Sequence, residues 1–226
     1  MEISTSLHTK TLILVAIFVA LNLYLGKKFE VIRQGKSQYN IFLGAFTLLF
    51  WTTYNLHYFN LENFDWSVSL PLHICDLLGF VSGMALIFST ETYRALLYFW
   101  GLSFSTQAFL YPIGDQDPSH AHYWLFWGIH TLIFTCTTYD LYIKKYCPSL
   151  DGLKISIKYG LLYILVILPV NITFGWNYGY IGNQNPEIQT IITFLGPWPY
   201  RVIVMALIAI FFQILLLLPW EIKSKV

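Results

Sequence analysis

Long apolar runs alternate with short polar loops along the whole chain. Each run approaches the roughly 20 residues that cross a bilayer as a helix. A backbone inside lipid has to satisfy its own hydrogen bonds, which favours helices over open strands. The pattern therefore predicts an all-α membrane protein, a seven-transmembrane-helix bundle with helices at about 8–26, 40–59, 68–89, 93–113, 122–143, 155–175 and 199–220.

The composition fits a single polytopic membrane domain over residues 1–226. Charged residues make up only 11% of the chain, against about 25% in soluble domains. The first apolar run follows Lys10 and carries no small-residue cleavage pattern. We interpret it as a retained span rather than a signal peptide. No basic cluster that would follow phosphates is present, so the partners expected are membrane lipids and not nucleic acid, and nothing in the sequence indicates an oligomeric state.

The loops between the runs alternate in charge. Apart from Lys10 and Arg201, every Lys and Arg lies in or beside the first, third and fifth loops or in the C-terminal tail. The second and fourth loops carry acidic residues but no Lys or Arg. By the positive-inside rule the basic side is cytoplasmic. The N-terminus is then outside and the C-terminus cytoplasmic, which requires an odd number of spans, as seven is.

The sixth loop, residues 176–199, differs from the others because it is long and rich in Gly, Asn, Pro and Trp. Its apolar part, residues 188–196, is too short to span. We expect this part to lie at the interface or to form a re-entrant turn covered by protein.

Polar side chains inside the apolar runs fall mainly in the half of the bundle nearest the outer face. Ionisable groups in lipid are costly unless they face the bundle interior, water or a partner. This asymmetry predicts one cavity open to, or just below, the outer surface. The candidate catalytic residues are His73, Asp76 and His130, and the candidate substrate-binding residues are Asn55, Trp100, Gln107, Tyr111, Asn171, Trp198 and Arg201.

Several kinds of chemistry are open to these residue types. Either imidazole can act as a general base, with Asp76 fixing its tautomer. His73 and Asp76 are about 60° apart on a regular helix, whereas Cys75 is about 160° from His73 and points elsewhere. A proton relay in a transporter would use the same groups. A metal site from His73, Asp76 and His130 is a weak signal, and we expect neither a metal nor another cofactor.

Four sequence pieces together carry a family resemblance over roughly residues 50–205. They are Leu70-Pro71-Leu72-His73-Ile74-Cys75, Tyr98-Phe99-Trp100-Gly101 with Gln107 and Pro112, His130, and Leu195-Gly196-Pro197-Trp198-Pro199. With these pieces the sequence resembles the YwaF-type bacterial integral membrane proteins, which are related to the TMEM164 family.

The resemblance implies a multi-pass protein of the bacterial cell membrane. It also implies lipid acyltransferase activity, or hydrolysis as in the similar AIG1/ADTRP lipid hydrolases. The relatives' catalytic histidine corresponds to His130, and their cysteine corresponds to Leu72, which leaves the nucleophile unassigned. Our hypothesis is a membrane enzyme acting on acyl lipids. The alternative is a non-enzymatic binding protein or transporter for a small polar ligand.

Overall fold

The computed structural model describes residues 5–32, 38–59, 64–110, 112, 117–184 and 191–223. Helices account for most of these residues, and no strand occurs among them. The predicted all-α, seven-helix bundle is therefore confirmed. The helices are α1 (Thr5–Ile32), α2 (Tyr39–Phe59), α3 (Ile74–Phe88), α4 (Glu91–Trp100, continued by the π-helical Gly101–Ser105 and the turn Gln107–Leu110), α5 (Ala121–Tyr142), α6 (Leu150–Phe174) and α7 (Tyr200–Lys223).

Three described helices are long and apolar enough to cross a membrane. They are Ser6–Ile32 in α1, Leu150–Phe174 in α6 and Tyr200–Ile222 in α7. The apolar α3 has 15 residues and is about 22 Å long at about 1.5 Å per residue, which is short for a span. The helices α2 and α5 are long enough but bury polar side chains inside the bundle, such as Asn40, Thr47 and Thr135.

Consecutive helices run in opposite directions, which gives the bundle two distinct ends. We call them the His73 end and the Arg94 end. Near the His73 end, Nε2 of His8 contacts the carbonyl of Phe109 at 2.8 Å. At the Arg94 end, Nε of Arg94 donates to the carboxylate of Asp140 at 2.9 Å and 3.1 Å. The guanidinium also lies 4.6 Å from the centre of the Tyr146 ring.

The start of α3 differs from the prediction of a helix from residue 68. Residues 65–72 form turns in which the N–H groups of Val68 and Ser69 both donate to the carbonyl of Asp65. The N–H of Ser67 donates to the Asp65 carboxylate at 2.8 Å and holds the pKa of that carboxyl below its usual range. Pro71 has no N–H and disfavours helical geometry in the residue before it. The helix therefore begins only at Ile74, and His73 is its extended N-cap.

The backbones of α2 and α3 approach closely at two glycines. A Cβ added to Gly44 would lie 2.9 Å from the carbonyl oxygen of Gly83, and a Cβ on Gly83 would lie 2.8 Å from the carbonyl oxygen of Gly44. Small residues let helix backbones meet in this way. The contact holds the N-terminal part of α2 against the C-terminal half of α3.

The fourth helix departs from regular α-geometry at its centre. Gly101 opens a π-helical segment and packs against α5, where an added Cβ would lie 2.7 Å from Oγ1 of Thr137. A π-helical turn holds about one residue more than an α-helical turn. It therefore changes which side chains of the C-terminal half of α4 face the bundle interior.

Candidate functional site

A cavity of about 390 Å³ lies within the bundle and reaches the His73 end. It is lined by residues from α2 to α7 and from the loop after α6. Six predicted site residues line it: His73, Asp76, His130, Asn55, Trp100 and Gln107. Tyr111 lies outside the described residues. The structure thus brings both predicted imidazoles and the carboxyl group to one cavity.

Main-chain contacts from the loop after α6 fix the ring of His73. The N–H of Gly179 donates to Nδ1 of His73 at 3.3 Å. Because a main-chain N–H can only donate, Nδ1 is the acceptor, and the neutral ring carries its proton on Nε2. The rings of Tyr178 and Tyr180 pack beside it, with centroids 5.1 Å and 5.5 Å away. His73 therefore offers Nε2–H as a hydrogen-bond donor.

The ring of His130 has the opposite tautomer. Its Nδ1 contacts the carbonyl oxygen of Phe126, one turn earlier in α5, at 2.7 Å. A carbonyl oxygen can only accept, so Nδ1 carries the proton and the lone pair of the neutral ring is on Nε2. The ring is buried and packs on Phe126, with centroids 4.4 Å apart. His130 therefore offers Nε2 as an acceptor, which is the property of a general base.

Asp76 acts on the backbone of the N-cap rather than on an imidazole. Its Oδ2 accepts a hydrogen bond from the main-chain N–H of His73 at 3.1 Å. Its own carbonyl accepts from Nε1 of Trp51 at 2.7 Å. The expectation that Asp76 fixes a histidine tautomer is therefore wrong for His73, because the carboxyl group bonds to main chain and Gly179 contacts the ring.

A series of tyrosine side chains links Asp76 to the end of the bundle. The Tyr54 hydroxyl is a side-chain hydrogen-bonding neighbour of the Asp76 carboxyl and of Tyr58. The rings of Tyr54 and Tyr58 have centroids 4.9 Å apart. The Tyr58 hydroxyl then lies 2.6 Å from Nε2 of His122. All four residues line the cavity, so His122 belongs to its wall rather than to the outer surface alone.

Cys75 also lines the cavity, which corrects the prediction that it points away from His73. That prediction treated both residues as part of one regular helix. His73 instead precedes α3, so the 100° step between helical residues does not apply across the cap. No described hydrogen bond joins the Cys75 thiol to His73 or His130. Leu72, which the resemblance aligned with the relatives' cysteine, is not among the lining residues, and its carbonyl accepts from the Tyr163 hydroxyl at 2.8 Å.

Three predicted substrate-binding residues hold the loop after α6 instead of lining the cavity. Asn171 bonds both the carbonyl and the N–H of Tyr178, at 2.8 Å and 3.0 Å. Arg201 is buried and donates to the carbonyls of Gly182 and Gln184 at 2.6 Å and 2.8 Å. Trp198 donates to the carbonyl of Ile181 at 3.2 Å. These three residues support the segment that positions His73.

The predicted interfacial segment 188–196 is described only from residue 191. Residues Ile191–Phe194 form a 3₁₀ helix, and Ile192 lines the cavity. The short helix Tyr178–Tyr180 carries the contacts to His73. Tyr178 and Tyr180 carry no distinct signal in the sequence, because aromatic residues in such a loop also fit a role as interfacial anchors.

Among the described residues no group of three His, Cys, Asp or Glu side chains is placed to hold a metal ion. The cavity combines the imidazoles of His73, His122 and His130, one carboxyl group and tyrosine hydroxyls with a mostly apolar wall. Such a wall suits an apolar ligand that carries a single polar group.

The chain was compared with models of protein families. The model of the TMEM164 family matches residues 3–217, in agreement with the resemblance carried by the motifs. No curated protein and no solved structure matches the chain.

Proposed function

Because this chain belongs to the TMEM164 family, we propose that it is an enzyme of the cell membrane that acts on acyl lipids. It transfers or hydrolyses an ester-linked acyl chain. The observation that carries the proposal is the pair of complementary imidazoles in one mainly apolar cavity. His130 offers a lone pair on Nε2, and His73 offers a proton on Nε2.

The chemistry follows from these two roles. The hydroxyl of water or of an acceptor lipid attacks the ester carbonyl carbon, and its proton passes to Nε2 of His130. The carbonyl oxygen becomes an oxyanion that accepts a hydrogen bond from Nε2–H of His73. When the ester C–O bond breaks, the leaving alkoxide takes the proton from His130. The products are a lysolipid and either a free fatty acid or an acylated acceptor.

Asp76 and Gly179 serve as positioning residues in this scheme. The Asp76 carboxyl fixes the main chain at the N-cap, and the Gly179 N–H fixes the ring that the N-cap carries. Fixed donors and acceptors need no reorganisation during the reaction, which is the main advantage of a preorganised site.

The test uses purified protein in phospholipid nanodiscs, with lysolipid and fatty acid measured by mass spectrometry. We expect His130→Gln to lower turnover by about 10²–10⁴-fold, the range for loss of a general base. His73→Gln should lower it by about 10²–10³-fold through loss of an oxyanion donor. The control is His57→Gln, since His57 lies near the same end but is not among the lining residues. Equal activity of wild type and both variants would contradict the proposal.

The variant Cys75→Ala distinguishes direct attack on the ester from a route through a thioester on Cys75. Direct attack predicts that Cys75→Ala keeps turnover within about threefold of wild type, because no described hydrogen bond couples the thiol to a base. Loss of turnover, together with an acyl group recovered on Cys75 of the wild-type protein, would overturn direct attack and leave acyl transfer through this thiol.

A second candidate function is binding or transport of a small polar ligand. The observation that favours it is a second polar pair on the cavity wall, in which Ser156 donates to Gln213 at 2.7 Å. Uptake of a small polar solute into proteoliposomes that is abolished by Asp76→Asn would favour this function over the enzyme.

A further inference from the structure

The helices α6 and α7 line the cavity with one continuous face each. In α6 this face contains Ser156, Ile157, Gly160, Leu161 and Ile164. In α7 it runs from Val202 to Gln213, which is about 16 Å at about 1.5 Å per residue. The cavity is therefore elongated along α7. We call the part between these two faces the α6–α7 slot.

The walls of the slot are apolar between two polar ends. The α7 side presents Met205, Ala206, Ala209 and Ile210, and no charged residue lines either face. At one end lie the imidazoles of His73 and His130. At the other end Ser156 and Gln213 hydrogen-bond to each other. An apolar wall of this length favours a hydrocarbon occupant over water, because apolar surface gains free energy when it leaves water.

Gly160 widens the slot at its midpoint. A Cβ added there would meet only Cζ2 of Trp100, at 4.0 Å. Most other described helical glycines allow a close helix contact, and a Cβ on Gly128 would lie 2.3 Å from the Phe50 ring. Glycine weakens a helix interior relative to alanine. No tight packing requires the glycine at position 160. We therefore infer that the missing side chain keeps the slot wide at this point.

The slot also reaches the lipid-facing surface. Leu161 lines it and is 56% exposed. Leu165 and Leu207, on the same two helices, are exposed as well. Both helices are long and apolar enough to span. The neighbour of this opening is therefore the hydrocarbon of the membrane, which supplies alkyl chains at the height of Gly160.

We propose that the α6–α7 slot binds one acyl chain of a membrane lipid. The chain enters sideways between α6 and α7 and ends near Gln213, and its ester lies beside His73 and His130. This inference deepens the proposed function, because the bound chain belongs to the acyl lipid on which the enzyme acts.

The test uses phosphatidylcholine with a diazirine near the end of its palmitoyl chain, incorporated into nanodiscs with the full-length protein. After irradiation, mass spectrometry locates the crosslinks. We expect the major crosslinks on the slot faces of α6 and α7, between residues 156–164 and 205–213. Gly160→Phe fills the slot and should lower these crosslinks at least about tenfold. Gly160→Ala should change them less than twofold, because its Cβ has room.

Leu165→Phe is the matched control, because it adds a similar ring to the same helix at an exposed position outside the slot. It should leave the crosslinks unchanged. Crosslinks that persist in Gly160→Phe, or that concentrate on the exposed face in the wild type, would overturn the slot. Crosslinks in the slot without lysolipid formation would support the binding site. They would contradict only the enzymatic function.

Discussion

The two histidines of the cavity differ in the atom that holds the proton. Gly179 donates to Nδ1 of His73, and Phe126 accepts from Nδ1 of His130. Neither partner is a carboxylate, so backbone geometry alone sets both tautomers. The hydrogen-bond donor character of Nε2 in His73 and the acceptor character of Nε2 in His130 then follow from the fold.

Nitrogen NMR tests this assignment at the level of single atoms. In ¹⁵N-histidine-labelled protein at neutral pH, we expect Nε2 of His73 and Nδ1 of His130 to be the protonated nitrogens. The variants His73→Gln and His130→Gln assign the signals, since each removes one set. The same tautomer at both residues would contradict the proposed division of roles.

The loop after α6 depends on Asn171, which is buried and bonds the main chain of Tyr178 twice. Asn171→Leu leaves a buried N–H and a buried carbonyl unpaired. We expect a loss of about 2–6 kcal/mol in the free energy of unfolding, at about 1–3 kcal/mol for each group. Thermal unfolding in detergent measures the change. Asn183→Leu, in the exposed part of the same loop, should shift unfolding little.

At the scale of helices, the sequence pattern predicts the bounds of regular helices correctly. It does not predict the irregular segments beside the candidate site. The apolar runs predict α2 and α5 within about two residues, which is the usual precision of helix ends. The start of α3 is missed because residues 68–73 are apolar enough for a span, although Pro71 is a local signal against a helix. The π-helix in α4 was missed because it depends on packing against α5.

The same limit applies to the site. His73, Asp76 and His130 are ionisable groups in apolar runs, and this cost makes them visible in the sequence. Asn171 and Arg201 fit the role of substrate-binding residues equally well in the sequence. Buried polar residues that hold a loop are of the same types as those that contact a ligand. Only the contacts to Tyr178, Gly182 and Gln184 distinguish them.

The close contact of α2 and α3 gives a prediction at this scale. Gly83→Leu places a side chain against the carbonyl of Gly44 and forces the helices apart. We expect a loss of about 1–3 kcal/mol in unfolding free energy, the usual cost of overpacking, and a further loss of turnover because Trp51 moves away from Asp76. Gly160→Ala is the control and should not destabilise the protein. A stable, fully active Gly83→Leu variant would contradict this account.

At the scale of the whole molecule, the Arg94 end is held by an ion pair whose carboxylate is buried. The side chain of Arg94 is 18% exposed and that of Asp140 only 2%. Arg94→Leu leaves the Asp140 carboxylate without its partner, which costs about 3–5 kcal/mol in typical buried pairs. The double variant Arg94→Leu/Asp140→Leu should recover most of the loss. Thermal unfolding of the three proteins checks this, and an unrecovered double variant would show that the pair has no such role.

The orientation of the bundle is still a prediction from the positive-inside rule. The exposed Cys147 lies between α5 and α6 at the Arg94 end, whereas Cys136 is buried. If that end is cytoplasmic, a membrane-impermeant maleimide should label Cys147 only after the cells are permeabilised. Cys147→Ser should abolish the labelling. Labelling in intact cells would reverse the predicted orientation.

The contact between Gly179 and His73 also bears on how the protein is made. Translation delivers His73 and His130 to the membrane well before residues 176–184, and Arg201, which holds that segment, follows later still. A nascent chain synthesised only as far as α6 already carries both imidazoles. It lacks the amide of Gly179 that orients the ring of His73. Under the proposed function, the site that would cleave lipid is therefore complete only when the last helix is in place.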